Sequence, residues 1–347
     1  MIVTGLRGVG KTVLLGAFGE LAAARGWATI EAEITSGTDF AERIAVLARR
    51  ALLQVAPKAR WGERARRAAG VLRSFTLTVR PDGSLAGSLD VDAWEGLADS
   101  GNLAEDLTDL FVALGEAARD HHRGVVFLFD EVQFLAQRDL EALISALHKT
   151  VQRNLPITLV AAGLPQIPRL AGEARSYSER LFRFPEIGRL DDDAARLALT
   201  APAQAVGVGF VEAAVDAIVD YTGGYPYFLQ EYGKAVWDES KGPTITAADV
   251  AAAQTLVEAS LDANFFWVRT ERSTDAELAY LRAMAELGDG PARASDVAAV
   301  MGRPTESVGP VRSRLIDKGL LYTPGYGLAA FTVPQFDRYL IRHRPLA

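Results

Sequence analysis

Short apolar runs without a polar break stand at Met1-Ile2-Val3-Thr4, Val125–Phe129 and Ile157–Ala162. Strands buried on both faces of a parallel sheet read this way. Trp27–Ile34 reads as a further strand, and Phe182-Arg183-Phe184 as a last short one before Pro185. Between them, 13–18, 38–55, 103–119 and 138–152 carry helical spacing, the third preceded by Asn102 as a cap. Strand alternating with helix predicts an α/β core with a parallel sheet covered on both faces.

From Asp191 the pattern turns wholly helical. Asp191-Asp192-Asp193 caps one helix; others are expected over 211–221, 225–238 and 247–261, with Thr222-Gly223-Gly224-Tyr225-Pro226 as a break. A third character begins at Thr274. Residues 274–287 predict a helix, and Ser295 a cap for a short helix through Met301. Val308, Val311 and Leu315 share one face of a third helix that ends at Gly319, a C′ glycine. Pro310 is tolerable only near a first turn, so that helix should start no earlier than about Thr305. Leu320-Leu321-Tyr322 and Ala330–Val333, around Pro324-Gly325, predict a hairpin. The order is that of a winged helix-turn-helix. Three blocks follow: a core over 1–189, an α-helical lid over 190–271 and a winged helix over 272–347.

Composition narrows the setting. The chain has 347 residues, 49% hydrophobic and 23% charged, within the globular range. Cysteine is absent, which excludes disulfides and thiolate-bound metals. No stretch approaches the ~20 apolar residues of a membrane span, and no signal-peptide pattern opens the chain, so a cytoplasmic location is expected. A net charge of −7 argues against wholesale coating of nucleic acid but leaves room for a local basic surface.

The candidate chemistry lies where two strands end. Gly5-Leu6-Arg7-Gly8-Val9-Gly10-Lys11-Thr12 fits the P-loop (Walker A) pattern in full, with a strand before it and a helix opening at Val13 after it. The glycines let successive N–H groups turn toward phosphate oxygens, Lys11 brings charge to the β- and γ-phosphates, and Thr12 offers its hydroxyl to Mg2+. Val125–Phe129 runs into Asp130-Glu131, a Walker B pattern. Asp130 would hold the metal, and Glu131 would polarise an attacking water. These residues imply ATP/ADP and Mg2+ as ligands, with hydrolysis expected.

With these blocks in place, the chain resembles the STAND-type ATPases of the AAA+-related P-loop group, relatives of archaeal replication-initiator ATPases. The carriers are GLRGVGKT at 5–12, VVFLFDEVQ at 125–133, GGYPYFLQ at 223–230 and the terminal winged helix. The resemblance implies a sheet order 5-1-4-3-2 and a lid motif at Tyr225 and Pro226 lying against the nucleotide. It also implies a nucleotide-dependent conformational switch or, alternatively, a nucleotide-regulated DNA-binding regulator or initiator. Three departures stand out. Relatives carry an adenine-contacting segment ahead of the first strand, whereas this sequence starts at the strand, implying truncation or weakened base recognition. The strand ending at Ala162-Gly163 lacks a polar sensor, which implies slow hydrolysis. The lid carries proline where replicative members place arginine. Arg180 is the best-placed candidate for an arginine finger acting on a second copy in a homo-oligomer, or else is a surface arginine of a helix.

Other surfaces stay open between readings. Over 58–73, Lys58, Arg60, Arg64, Arg66, Arg67 and Arg73 face Glu63 alone, while Trp61, Ala65, Ala68, Leu72 and Phe75 share a helical face. That suits nucleic acid, an acidic partner or a membrane surface, or simply a packed helix with a solvated basic side. Phe75–Val79 and Leu85–Asp92, around Arg80-Pro81-Asp82-Gly83, predict a β-hairpin, so 56–100 reads as an insertion. In 274–347, nine basic side chains oppose eight acidic ones. Arg303, Arg312, Arg314 and Lys318 could face phosphates, and a winged helix serves DNA or protein partners alike.

Overall fold

The structure, a computed structural model, describes residues 1–84 and 91–343. Its contacts separate two units: Met1–Thr4 with Lys11–Glu186, and Gly5–Gly10 with Ile187 onward.

The first unit is a parallel α/β layer. Its sheet is formed by β1 (Ile2–Thr4), β2 (Ala28–Glu33), β3 (Val125–Asp130) and β4 (Ile157–Gly163), in the order β1-β4-β3-β2. Ile30 is opposite Phe127, which is opposite Leu159, and Ile2 is opposite Ala161. Central β3 is buried from Val125 to Phe129, as its unbroken apolar run requires, whereas β2 alternates. Its helices are α1 (Lys11–Ala24), α2 (Phe40–Val55), α3 (Glu63–Val79), α4 (Leu103–Asp120), α5 (Gln137–Gln152), α6 (Ile167–Ala174) and α7 (Ser178–Leu181). Phe127 stacks on Phe111 of α4 at 5.1 Å, and Phe129 meets Phe40 of α2 edge-on at 6.5 Å. Asn102 caps α4, accepting from the Ala104 N–H at 3.0 Å, a bond worth about 1 kcal/mol.

Two expectations for this unit need correction. The sheet order 5-1-4-3-2 holds for four strands only. On the free side of β1, the Ile2 and Thr4 N–H groups donate to the Arg183 and Pro185 carbonyls, both at 2.8 Å, but only one bridge forms, Thr4 with Glu186. Pro185 has no N–H to return, so no fifth strand develops. The hairpin expected from Phe75 is absent at its first arm, because Phe75–Val79 is the end of α3. Most of the second arm lies outside the described residues. The apolar face of Ala65, Ala68, Leu72 and Phe75 continues through that last turn and is buried. Its threonines adapt to the helix: Thr76 and Thr78 donate back to the Arg73 and Ser74 carbonyls.

The second unit contains α8 (Asp192–Gln204), α9 (Glu212–Thr222), α10 (Pro226–Glu239), α11 (Ala247–Ser260), a π-helical stretch Leu261–Trp267 and α12 (Val268–Thr270). It is not wholly helical, since β5 (Gly209–Phe210) and β6 (Thr244–Ile245) form a parallel pair. There follow α13 (Asp275–Glu286), β7 (Ala292–Arg293), α14 (Ala294–Val300), α15 (Thr305–Asp317), β8 (Leu321–Tyr322), β9 (Leu328–Phe331) and α16 (Phe336–His343). The last three strands form an antiparallel sheet β7-β9-β8; β7 had no sequence signal. α15 starts at Thr305 with Pro304 ahead of it, and Gly319 follows it with φ 67°. Ser295 lies inside α14 rather than capping it; its hydroxyl donates to the adjacent Asp296 instead. One apolar cluster runs from Ala195 to Leu340 and takes in Val9 of the glycine loop. Among the described residues no helix is long and apolar enough to cross a membrane.

Candidate nucleotide site

Within the first unit, the carboxyl end of β3 meets the first turn of α1. The Thr12 hydroxyl donates to Asp130 Oδ2 at 2.5 Å, and Asp130 Oδ1 accepts from the Glu131 N–H at 2.8 Å. The two groups expected to hold a metal are thus adjacent, one hydroxyl and one carboxylate. Such hard oxygen donors fit Mg2+, which keeps most of its waters and takes few protein ligands. Lys11 opens α1 and is buried, with its residue only 6% exposed, while Thr12 and Val13 face outward.

Glu131 sits in the left-handed region, φ 56° and ψ 36°, a conformation that costs a non-glycine residue roughly 1–3 kcal/mol. The bend ends β3 and starts a 3-10 turn over Val132–Phe134. That turn returns Gln133 to Glu131: the Gln133 amide donates to Glu131 Oε2, while its Oε1 accepts from the Leu164 N–H at 3.1 Å, just past β4.

Within the second unit, the glycine loop has its own anchors. Gly8 and Gly10 adopt φ 84° and 92°, open only to glycine without strain. A Cβ on Gly8 would also lie 3.0 Å from Tyr227 Cβ and 3.2 Å from Tyr225 Cε1. The Gly8 carbonyl accepts from the Tyr227 N–H at 3.1 Å, and the Arg7 N–H donates to the Thr332 carbonyl at 3.1 Å. Gly5 passes against the Ile187 carbonyl, and Leu6 and Val9 pack into the apolar cluster. Tyr225 precedes Pro226 at the N-terminus of α10, where a proline costs no hydrogen bond. Tyr225 is 2% exposed, its hydroxyl finds no partner among the described residues, and burial pushes the phenol up.

Arg269 lies over the Phe265 ring at 3.9 Å, and Phe265 stacks on Tyr227 at 4.4 Å. Burial first, then the charge of Arg7, lowers Arg269 to about 10. Arg269 and Thr332 carry no sequence signal, because their relation to the loop is tertiary, whereas Tyr227 and Gln133 stand in the blocks at 223–230 and 125–133 without a role of their own.

Arg180 is exposed at the end of α7, ahead of the segment beside β1. The basic stretch is partly neutralised by neighbours: Arg64 pairs with Asp120 at 3.4 Å, and Arg67 with Glu116 at 3.6 Å, the latter also over Trp94. The C-terminal cations are likewise engaged. Arg314 and Lys318 pair with buried Glu277 at 3.3 and 2.6 Å, and Arg312 donates to the Leu328 carbonyl at 2.7 Å. Of the four cations considered for phosphate contact, Arg303 is exposed, its N–H bonded to the Ala298 carbonyl at 3.0 Å.

Residues 1–160 match the AAA ATPase domain. The match supports an ATP-binding ATPase, with the AAA segment taking in Lys11, Thr12, Asp130 and Glu131. Residues 263–340 match a second family, described as Domain of unknown function (DUF8462). No curated protein matches the chain. Among solved structures, a Walker-type ATPase of Pyrococcus abyssi shares the fold, with TM-score 0.56, 15% identity, and coverage of 98% of this chain and 90% of that one. The Holliday junction branch migration motor RuvB of Thermotoga maritima gives TM-score 0.44 at 17% identity, covering 99% and 87%. The Orc1 protein of Aeropyrum pernix, solved with DNA, gives 0.42 at 15%, covering 99% and 86%.

Proposed function

We propose that this chain is a magnesium-dependent ATPase that works as a nucleotide-driven conformational switch in the cytoplasm. Residues 190–271 act as its lid and 272–347 as a winged helix that reports the state of the site. The observation that carries the switch is the anchoring of the glycine loop, with Gly8 tied to Tyr227 and Arg7 tied to Thr332. A ligand shifts an equilibrium only through contacts that differ between states. A loop that curls around phosphates while bonded to α10 and to the segment after β9 has such contacts to change.

In this reading Lys11 neutralises the β- and γ-phosphates. Thr12 and Asp130 hold Mg2+, which when bound supplies further neutralisation of the phosphate charge. Glu131 takes a proton from water as the water oxygen bonds to the γ-phosphorus; the bond to the β-phosphate oxygen breaks and ADP leaves. Tyr225 and Pro226 lie against the nucleotide, and Arg180 serves the site of a second copy.

The test is thermal unfolding with ATP and Mg2+, together with phosphate release. ATP at a hundred times its Kd should stabilise the wild type by about 2.7 kcal/mol. Lys11→Ala should lose that stabilisation, and Glu131→Gln should keep it while losing turnover. Full stabilisation of Lys11→Ala would remove the site assignment. Binding without turnover in the wild type would leave a switch that is not an ATPase.

A further inference from the structure

The end of β4 offers no polar side chain of its own, since it closes with Ala161-Ala162-Gly163. Gln133 reaches that place from the turn after β3. We propose that Gln133 is a positioning residue for hydrolysis, fixing the Glu131 carboxylate against the backbone at the end of β4. The proposal rests on the ATPase reading above.

Three observations carry it. First, the amide is used at both ends: Oε1 accepts from the Leu164 N–H at 3.1 Å and Nε2 donates to Glu131 Oε2. The orientation follows from this pairing, because a flipped amide would set its NH2 against the Leu164 N–H and its oxygen against a carboxylate. Second, the space is kept open on purpose. A Cβ on Gly163 would fall 2.9 Å from Gln133 Oε1, 2.9 Å from Ile167 Cγ1 and 3.2 Å from Val132 Cγ2. Any other residue at 163 pushes the amide away. Third, Glu131 is held in a left-handed conformation, with its N–H on Asp130 Oδ1. Its backbone is therefore fixed by the metal-side carboxylate and its side chain by Gln133. A base must meet its water within a few tenths of an ångström, and a misplacement of about 1 Å costs on the order of 100-fold.

The arrangement also gives β4 a route to the base. Leu164 leads into α6 at Ile167, so a shift of that turn would move the Leu164 N–H, then the amide, then the carboxylate. No bond is made or broken by Gln133 itself.

The experiment uses the full-length protein with ATP and Mg2+. Gln133→Met keeps the volume and apolar stem while removing both hydrogen bonds; Gln133→Glu keeps the acceptor for Leu164 but loses the donor. Both should lower kcat roughly 10–100-fold with the Kd for ATP unchanged. The decisive comparison is with Glu131→Gln, in which the base is already lost. There, adding Gln133→Met should change the residual rate by less than about twofold, since two groups acting as one are non-additive. Wild-type turnover in either single variant overturns the proposal, as does a multiplicative loss in the double variant or a matching loss of ATP affinity. An inactive wild type overturns the ATPase reading and this proposal with it, an outcome visible before any variant is made.

Discussion

The Arg7 N–H donates to the Thr332 carbonyl at 3.1 Å, joining the glycine loop to residues at the far end of the chain. Thr332 is itself fully buried, with its hydroxyl directed at the Gly319 and Leu320 carbonyls. Its N–H donates to Leu320 as well, so its carbonyl has little freedom to follow the loop. A change of the loop on binding phosphate must either break this bond or move the segment behind it.

The loop's packing makes Gly8 a sensitive position. Gly8→Ala places a Cβ at φ 84°, which costs about 1–2 kcal/mol, and pushes it against Tyr227 Cβ, a rigid neighbour. We expect a loss of about 2–3 kcal/mol in stability together with weakened ATP binding. Gly10→Ala meets nothing within 4 Å and should cost only the conformational part. Equal unfolding midpoints for the two variants would contradict the contact with the tyrosines.

Buried Glu277 makes stability depend on acid. Burial pushes its carboxyl up, but Lys318, the Thr274 N–H and Arg314 together outweigh burial and hold it below the ordinary range. A folded value below the unfolded one contributes stability above the unfolded pKa, near 4.3, and that stability is lost as pH falls through the folded value. Glu277→Gln should therefore be less stable at pH 7 by about 1–3 kcal/mol, with a flatter acid limb below about pH 4.3. Unfolding followed against pH checks both, and an unchanged acid limb would show that the triad does not set it.

Much of the architecture was legible in the sequence. Runs such as Val125–Phe129 leave no second reading once Asp130-Glu131 follows, and caps such as Asn102 and Asp191 mark helix starts locally. Local signals misled where tertiary packing outweighed them. Phe75–Val79 alternates like a strand, yet the face begun at Ala65 carries it as helix. At the site, Lys11, Thr12, Asp130 and Glu131 stood in recognisable spacing. The bonds to Thr332 and Tyr227 had no such signal, because they are backbone contacts that any residue type can make. Gln133 was visible only as a letter in a block; its role depends on the turn that the left-handed Glu131 creates.

Arg180 gives a test of assembly. If it completes the site of a second copy, Arg180→Ala and Glu131→Gln should each be inactive alone, and their mixture should regain turnover from sites with one intact copy of each residue. Activity in the mixture no greater than the sum of the parts would return Arg180 to the surface of α7.

The most direct test of the switch is amide hydrogen exchange with and without ATP and Mg2+, read at Arg7, over 225–229, over 262–275 and over 318–333. The account predicts that ATP changes protection in all four places in the wild type and in none of them in Lys11→Ala. Pro226→Ala, a change at a helix position where proline is cheap, should still bind ATP but lose the response over 262–275. Identical exchange over 318–333 with and without ATP, in a wild type shown to bind it, would contradict the account.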